Sequence, residues 1–134
     1  MGTEVHWLAV LVASLSGFAV GGVWYGPLFL KPWLAAEGKT KEEMGGGHTV
    51  KVFGFAFLCN LFSAFILDHV FGTYGNPAMH ESLLVAFGVA LGFVVPAYGV
   101  NYLFAGRRLK LFLIDAGYWI VTYLVMGAVL VLLS

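Results

Sequence analysis

The most distinctive chemical group in the chain is a carboxylate inside an apolar run. Asp115 lies about five residues into the last long apolar stretch, or about 7 Å deep at ~1.5 Å per residue. A carboxylate at that depth in a bilayer is costly unless it is paired, and an ionisable group there marks a functional site. The sequence therefore predicts a polar interior or binding site made of Asn60, Trp24, Tyr25, Asn101, Asp115 and Tyr118, with Tyr98 and Tyr102 nearby.

Asp115 also has a structural interpretation. Its carboxylate would then pair with Arg108 or Asn101. Alternatively, the side chain would extend to the membrane interface. Both interpretations stay open at the level of sequence.

A second group of side chains with ligating atoms lies at the ends of predicted helices. Asp68-His69 ends one apolar run and His80-Glu81 begins the next, so a short loop brings imidazole and carboxylate groups near each other. Such groups bind Zn²⁺ or a similar divalent cation. Alternatively, they are solvated caps, with Glu81 complementing a helix dipole. The predicted metal ligands are His69, Asp68, His80, Glu81 and His6.

Four polar or helix-breaking residues fall near the middle of the apolar runs, one in each: Ser16, Asn60, Pro96 and Thr122. Pro96 lacks an N–H, so we expect a helix kink that leaves carbonyl acceptors free, as in transporters. Alternatively, Asn60 bonds those carbonyls or Thr122 and holds the helices together.

These side chains must be positioned by membrane-spanning helices. Of the 134 residues, 60% are apolar and 10% charged, against roughly 25% charged in soluble domains, and the mean hydropathy is +0.90. This composition excludes a soluble globule, and the zero net charge excludes nucleic acid as a partner. Four runs are long enough to span a bilayer. We predict an all-α, antiparallel bundle of four transmembrane helices in one domain, with spans at about 5–28, 50–67, 82–104 and 111–133.

The basic residues predict the orientation of the bundle. All seven Lys and Arg residues lie in or beside loops 29–49 and 105–110, so these loops are predicted to be cytoplasmic and both termini outside, in the cell membrane. In the first loop, Trp33 is expected at the headgroup level. Thr40 to Glu43 are expected to form a capping box.

Small residues recur at helical spacing, which favours close helix contact in lipid. The predicted packing residues are Ala9, Ala13, Gly17, Gly21, Gly22, Gly26, Gly88 and Gly92. The pattern serves packing within one bundle or the interface of a homodimer. Because four short helices enclose little volume, a permeation path would need an oligomer, and dimers are the commonest kind.

Several motifs resemble a known family almost end to end. They are His6 to Ala9, Gly22 to Leu28 followed by Trp33, Gly99 to Phe104, Leu111 to Tyr118, and Met126-Gly127. The sequence is similar to the family catalogued as domain of unknown function 1761, which comprises small prokaryotic membrane proteins with four predicted helices.

The resemblance implies the same topology and no established activity. It carries motif residues over to Trp24, Tyr25, Gly26, Asn101, Asp115, Gly117 and Tyr118. Relatives often carry Asn at the position of Asp115 and His at that of Trp119, so the resemblance does not imply a family-wide proton-carrying role for Asp115.

No catalytic, phosphate-binding or dinucleotide-binding motif is present, so we expect neither an enzyme nor a bound cofactor. The polar interior and the proline favour a small homo-oligomeric transporter or channel-like protein in the bilayer. The alternative is a non-catalytic structural or accessory protein that packs with itself or with a larger membrane partner.

Overall fold

The computed structural model describes residues 5–38 and 50–134, and within these ranges all regular structure is helical. Four helical segments are long and apolar enough to cross a membrane: Trp7–Leu28, Val50–Thr73, Met79–Ala105 and Leu109–Leu133. The predicted all-α architecture with four spanning helices is therefore confirmed.

The first span changes its helical geometry near its end. Helix α1 (Trp7–Val23) continues into a π-helical turn, Trp24–Leu28, and a short helix α2 (Leu30–Glu37) follows. Pro27 lies inside the π turn. The Phe29 N–H donates to the Trp24 carbonyl, five residues back, at 2.9 Å. Such single π turns are frequent at functional sites.

The other three spans are joined by short loops, so consecutive spans run antiparallel. They comprise α3 (Val50–Thr73), then α4 (Met79–Val89), a π turn (Ala90–Val94) and α5 (Val95–Ala105), and finally α6 (Leu109–Leu133). Gly106 ends α5 with φ of 68°, in the left-handed region that glycine tolerates.

The element bounds differ from the predicted ones in two places. Helix α3 continues six residues beyond its predicted end at residue 67, since helical geometry persists through the polar Asp68-His69 pair that ends the apolar run. Within the predicted loop 29–49, residues 30–37 are helical. The predicted capping box at residues 40–43 lies outside the described residues.

Helix α6 is the centre of the bundle. It packs against α1, α2, α4 and α5, whereas α3 packs mainly on α1. The core at its inner face is closely packed, with Met126 and Leu130 almost fully buried against Ala9, Val10 and Ala86. The outer faces of α3 and α4 are apolar and exposed, as expected for contact with lipid.

One predicted small-residue row packs inside the bundle. Ala9 and Ala13 are fully buried in the core. A Cβ on Gly17 would lie 3.2 Å from Nδ2 of Asn60 on α3, and one on Gly21 would lie 3.5 Å from the Tyr118 ring on α6. The close approach of α1 to both neighbours depends on this row.

The other predicted packing glycines do not pack within the chain. A Cβ on Gly22, Gly26, Gly88 or Gly92 would meet nothing within 4 Å, so these four take no part in packing within the described chain, and their role at a homodimer interface stays a prediction. The third span instead turns the buried residues Ser82 and Ala86 of α4 and Ala90 of the following π turn, spaced by four, toward the bundle. Ala86 meets Gly127 of α6, where an added Cβ would lie 3.1 Å from the Ala86 Cβ.

The bundle has two distinct ends. His6, Asn76 and Ser134 line one cavity, so the start of α1, the end of α6 and the α3–α4 loop lie together at what we name the termini end. Helix α2 and the α5–α6 loop meet at the other end, named the α2 end, through the Arg107–Glu37 ion pair.

Candidate functional site

A cavity of about 700 Å³ opens at the α2 end of the bundle, between α1, α2, α5 and α6. Its lining is mostly aromatic and aliphatic, with two carboxylates and one guanidinium. We name it the carboxylate cavity, and it is lined by Phe18, Gly21, Gly22, Tyr25, Leu30, Trp33, Leu34, Glu37, Phe53, Tyr98, Tyr102, Arg107, Asp115, Tyr118 and Trp119.

Asp115 is the buried polar centre of this cavity. Asp115 is only 8% exposed, and both of its carboxylate oxygens accept hydrogen bonds from phenols. The Tyr25 hydroxyl donates to Oδ1 at 2.6 Å, and the Tyr102 hydroxyl donates to Oδ2. The two phenols thus approach the carboxylate from both of its oxygens.

The charge of Asp115 has no cationic partner in residues 5–38 and 50–134. The predicted structural pairing with Arg108 or Asn101 is wrong. Arg108 donates instead to the Ala35 carbonyl at 3.4 Å, and Asn101 is exposed and does not line the cavity. The reason is geometric, since the tyrosines of α5 and of the π turn occupy the space around the carboxylate.

The π turn of the first span positions two side chains of the site. Trp24 donates from Nε1 to the Ile114 carbonyl of α6 at 2.9 Å, and its ring packs against the Phe29 ring in a tilted contact with 4.7 Å between centroids. The neighbouring Tyr25 is thereby directed to Asp115. Gly117 makes room for Trp24, because a Cβ there would lie 2.8 Å from Cζ2 of the indole.

Aromatic rings form a continuous wall around the carboxylate. Tyr98 lies 5.6 Å from Tyr102 and 6.3 Å from Trp119, measured between ring centroids. Tyr118 lies 4.9 Å from Trp119 and 5.2 Å from Tyr25. The offset and edge-on geometry of these contacts is the preferred one for aromatic pairs.

An ion pair ties α2 to the α5–α6 loop at the rim of the cavity. Arg107 donates from Nη1 to Glu37 Oε1 at 2.8 Å, and its guanidinium lies 5.4 Å from the Tyr102 ring centroid. The charge of Arg107 is thus matched by Glu37, which leaves Asp115 as the unmatched charge among the lining residues described.

Polar groups continue from the cavity toward the middle of the bundle. The Tyr118 hydroxyl donates to the Gly17 carbonyl at 3.4 Å. Asn60 and Thr122 are buried beside the same glycine, since a Cβ on Gly17 would lie 3.2 Å from Nδ2 of Asn60 and 3.5 Å from Cγ2 of Thr122. Two of the four residues predicted near the midplane therefore meet at Gly17, next to the Tyr118 hydroxyl.

The other two midplane residues take no part in this polar group. Ser16 donates to the Val12 carbonyl of its own helix at 2.8 Å. Pro96 is exposed and is the second residue of α5, which directly follows the π turn Ala90–Val94. The irregularity expected from the proline therefore appears as a widened turn that precedes it.

The predicted metal ligands at the termini end do not gather into one site. His6 Nδ1 lies 2.8 Å from Asp68 Oδ1, and the His6 N–H donates to Oδ2 at 3.2 Å. His69, His80 and Glu81 are exposed, and Glu81 accepts from the Ala78 N–H at 3.3 Å as a cap of α4. Within the described ranges, no group of three potential ligands forms.

Several lining residues of the carboxylate cavity were not predicted from the sequence, among them Trp119, Glu37 and Trp33. Trp119 follows Asp115 by four residues and so shares its helix face, a spacing that could have revealed it. Glu37 and Trp33 line the cavity only because α2 folds back against the bundle. The opposite charges of Glu37 and Arg107, in the two loops predicted on one side, were the available signal.

Comparison with known proteins gives one match. The model of the family described as "Protein of unknown function (DUF1761)" matches residues 8–131. No curated protein and no solved structure matches this chain. The match extends from the first span into the last and includes every lining residue of the carboxylate cavity.

Proposed function

This chain belongs to the protein family of unknown function DUF1761, and from that premise we propose that it is a small transport protein whose substrate site is the carboxylate cavity. The observation that carries the proposal is Asp115, a carboxylate within a spanning helix that faces a cavity of about 700 Å³ without a cationic partner in the described chain. Intramembrane ionisable residues of this kind mark substrate or ion routes.

The surroundings of Asp115 support a binding role over a purely structural one. A carboxylate that only joins helices would be enclosed by its partners, whereas Asp115 lines a cavity large enough for a small molecule. The polar group of Tyr118, Asn60 and Thr122 extends the site inward. Two π turns in the spans provide the irregular helix geometry that transporters use.

We also propose which end of the bundle faces the cytoplasm. The basic residues of the described chain, among them Lys31, Arg107, Arg108 and Lys110, belong to the α2 end. The positive-inside rule then puts that end in the cytoplasm and both termini outside, in the cell membrane. The cavity would open to the cytoplasm. The chain offers no catalytic motif, so we propose that it is not an enzyme.

The test is aqueous access to the cavity in a bilayer. Gly22 lines the cavity with free space beside it, so Gly22→Cys in a Cys59→Ser chain gives the cavity one thiol. Gly88→Cys is the matched control, because Gly88 has equal free space on the exposed apolar face of α4. Both variants are reconstituted in liposomes and treated with a membrane-impermeant maleimide added to one side or the other.

We expect Gly22→Cys to react from both sides of the membrane, from the cytoplasmic side faster, and Gly88→Cys to stay unlabelled. Reaction from the α2 end alone would contradict transport, because the site would then lack a second exit. No reaction from either side would overturn the proposal altogether, since the cavity would hold no water.

A second candidate function is an accessory protein that packs with itself or with a larger membrane partner. The observation in its favour is the open small-residue face of α4, where Gly88 and Gly92 have nothing within 4 Å in this chain. Such faces drive helix association in lipid. Disulfide formation by Gly88→Cys in native membranes, with a doubled mass, would support a homodimer. A mixed product of another mass would support a different partner.

A further inference from the structure

We propose that the ligand of the carboxylate cavity is an organic monocation with an apolar body, such as an aromatic or alkyl amine or a quaternary ammonium compound. This inference rests on the proposed binding role of the cavity and names its substrate class. It follows from three features of the site: its net charge, its aromatic wall and the arrangement of the donors to Asp115.

The first feature is the charge of the lining. Asp115 and Glu37 carry the negative charges and Arg107 the positive one, and Arg107 is bound to Glu37 at 2.8 Å. The described lining therefore has one carboxylate in excess, and that carboxylate is the deepest of the three groups, being 8% exposed. In a medium of low dielectric, this carboxylate favours a ligand that brings one positive charge over a neutral or an anionic one.

The second feature is the aromatic wall. Tyr98, Tyr118 and Trp119 line the cavity on the side of Asp115. Aromatic faces attract cations through the ring quadrupole, and several such faces around one carboxylate are the usual cage for ammonium groups. The protein already uses this interaction at the rim, where the Arg107 guanidinium lies 5.4 Å from the Tyr102 ring centroid.

The third feature is the donor arrangement. Each Asp115 oxygen accepts from only one phenol, Tyr25 or Tyr102, so each oxygen keeps a further lone pair for a ligand. The remaining lining, which includes Phe18, Leu30 and Leu34, suits an apolar body.

The basic side chains outside the cavity do not reverse its preference for a cationic ligand. Lys31, Arg108 and Lys110 are exposed at the α2 end, where water and salt screen their charges within about 8 Å at physiological ionic strength. The Asp115 carboxylate lies inside the cavity, where screening of its charge is weak. The selectivity of the site is therefore set by the buried carboxylate and the rings around it.

The experiment compares three probes of one shape with the intact chain in lipid nanodiscs. They are benzyltrimethylammonium, its neutral carbon analogue neopentylbenzene, and the anion phenylmethanesulfonate. Binding is measured by the change in tryptophan fluorescence, because Trp33 and Trp119 line the cavity. We expect the cation to bind at least about tenfold more tightly than either other probe, the difference that one or two cation–π contacts provide.

Variants then assign this preference to one carboxylate. Asp115→Asn should remove the preference for the cation and Asp115→Glu should keep it. The matched control is Asp68→Asn, which neutralises the other buried carboxylate, at the termini end, and should leave binding unchanged. Circular dichroism checks that each variant folds. The comparison of probes on the unaltered protein tests the inference even where a variant does not fold.

Each contrary result has a distinct meaning. Equal affinity for the cation and neopentylbenzene would overturn the inference and leave the proposed binding role in place. Undiminished cation binding by Asp115→Asn would overturn it as well, because the charge would act elsewhere. If none of the three probes binds, the inference fails. The labelling of Gly22→Cys then decides separately whether the proposed function also fails.

Discussion

Trp24 and Gly117 fit together so closely that only a hydrogen can occupy the space between them. A Cβ on Gly117 would lie 2.8 Å from Cζ2 of the indole. The ring has little freedom to move away, because Trp24 donates to the Ile114 carbonyl and packs against the Phe29 ring. This contact fixes the π turn of the first span against α6, and with it the position of Tyr25 at Asp115.

Substitution of Gly117 should therefore weaken both the fold and the site. We expect Gly117→Ala to lower the free energy of unfolding by about 1 to 3 kcal/mol, as overpacking does. Gly22→Ala is the control, since its Cβ meets nothing within 4 Å and alanine favours the helix by up to about 1 kcal/mol. Denaturant titration in mixed micelles measures both. Equal stability of the two variants would contradict the close fit.

The two phenols that hold Asp115 should each contribute measurably to stability. Tyr25→Phe or Tyr102→Phe removes one hydrogen bond to a charged group, which costs about 1.5 to 3 kcal/mol. Tyr98→Phe is the matched control, because the Tyr98 hydroxyl makes no hydrogen bond in the part of the chain described. The same unfolding titration applies. A loss as large in Tyr98→Phe as in the other two would argue against this hydrogen-bond scheme.

At the termini end, the contact between His6 and Asp68 should anchor the start of α1 to the end of α3. His6→Ala removes the 2.8 Å contact to a carboxylate whose residue is 5% exposed, so we expect a loss of about 1 to 3 kcal/mol. His80→Ala, at an exposed histidine of the same end, should change stability by less than about 0.5 kcal/mol. Thermal unfolding followed by circular dichroism compares them, and the reverse order of the two losses would refute the anchoring role.

The proposed orientation can be tested in intact cells. In a Cys59→Ser chain, Tyr74→Cys puts a thiol in the α3–α4 loop and Lys110→Cys puts one at the start of α6, both at exposed positions. With the α2 end in the cytoplasm, a membrane-impermeant maleimide should label Tyr74→Cys from outside and Lys110→Cys only after lysis. The opposite pattern would invert the topology.

The fold was predictable because a bilayer imposes strong rules on a sequence. Long apolar runs must be helical, so the four spans followed from length and composition. The bounds were less accurate where polar residues remain helical, as at Asp68-His69 in α3. The helix that holds Glu37 lies in a loop of mixed composition, and its position depends on tertiary contacts with Arg107 that no local pattern specifies.

The candidate site was predictable in part. Asp115 and Tyr25 stand out as polar groups within spans, and the structure brings them to 2.6 Å. Asn101 is a comparable polar residue, yet it is exposed, because the phase of α5 directs Tyr98 and Tyr102 inward instead. The rotation of a helix about its axis is weakly specified when apolar residues surround it on all sides. The same reason explains why Gly88 and Gly92 lie outside the packed face of α4.

The most direct measurement is a structure of the protein in a lipidic phase with bound 4-bromobenzyltrimethylammonium, read by the anomalous signal of bromine. We expect a bromine peak inside the carboxylate cavity, with the ammonium group beside Asp115 and against the rings of Tyr98 and Trp119. A cavity closed by its own side chains, or a bromine peak only at the lipid-facing surface, would contradict it.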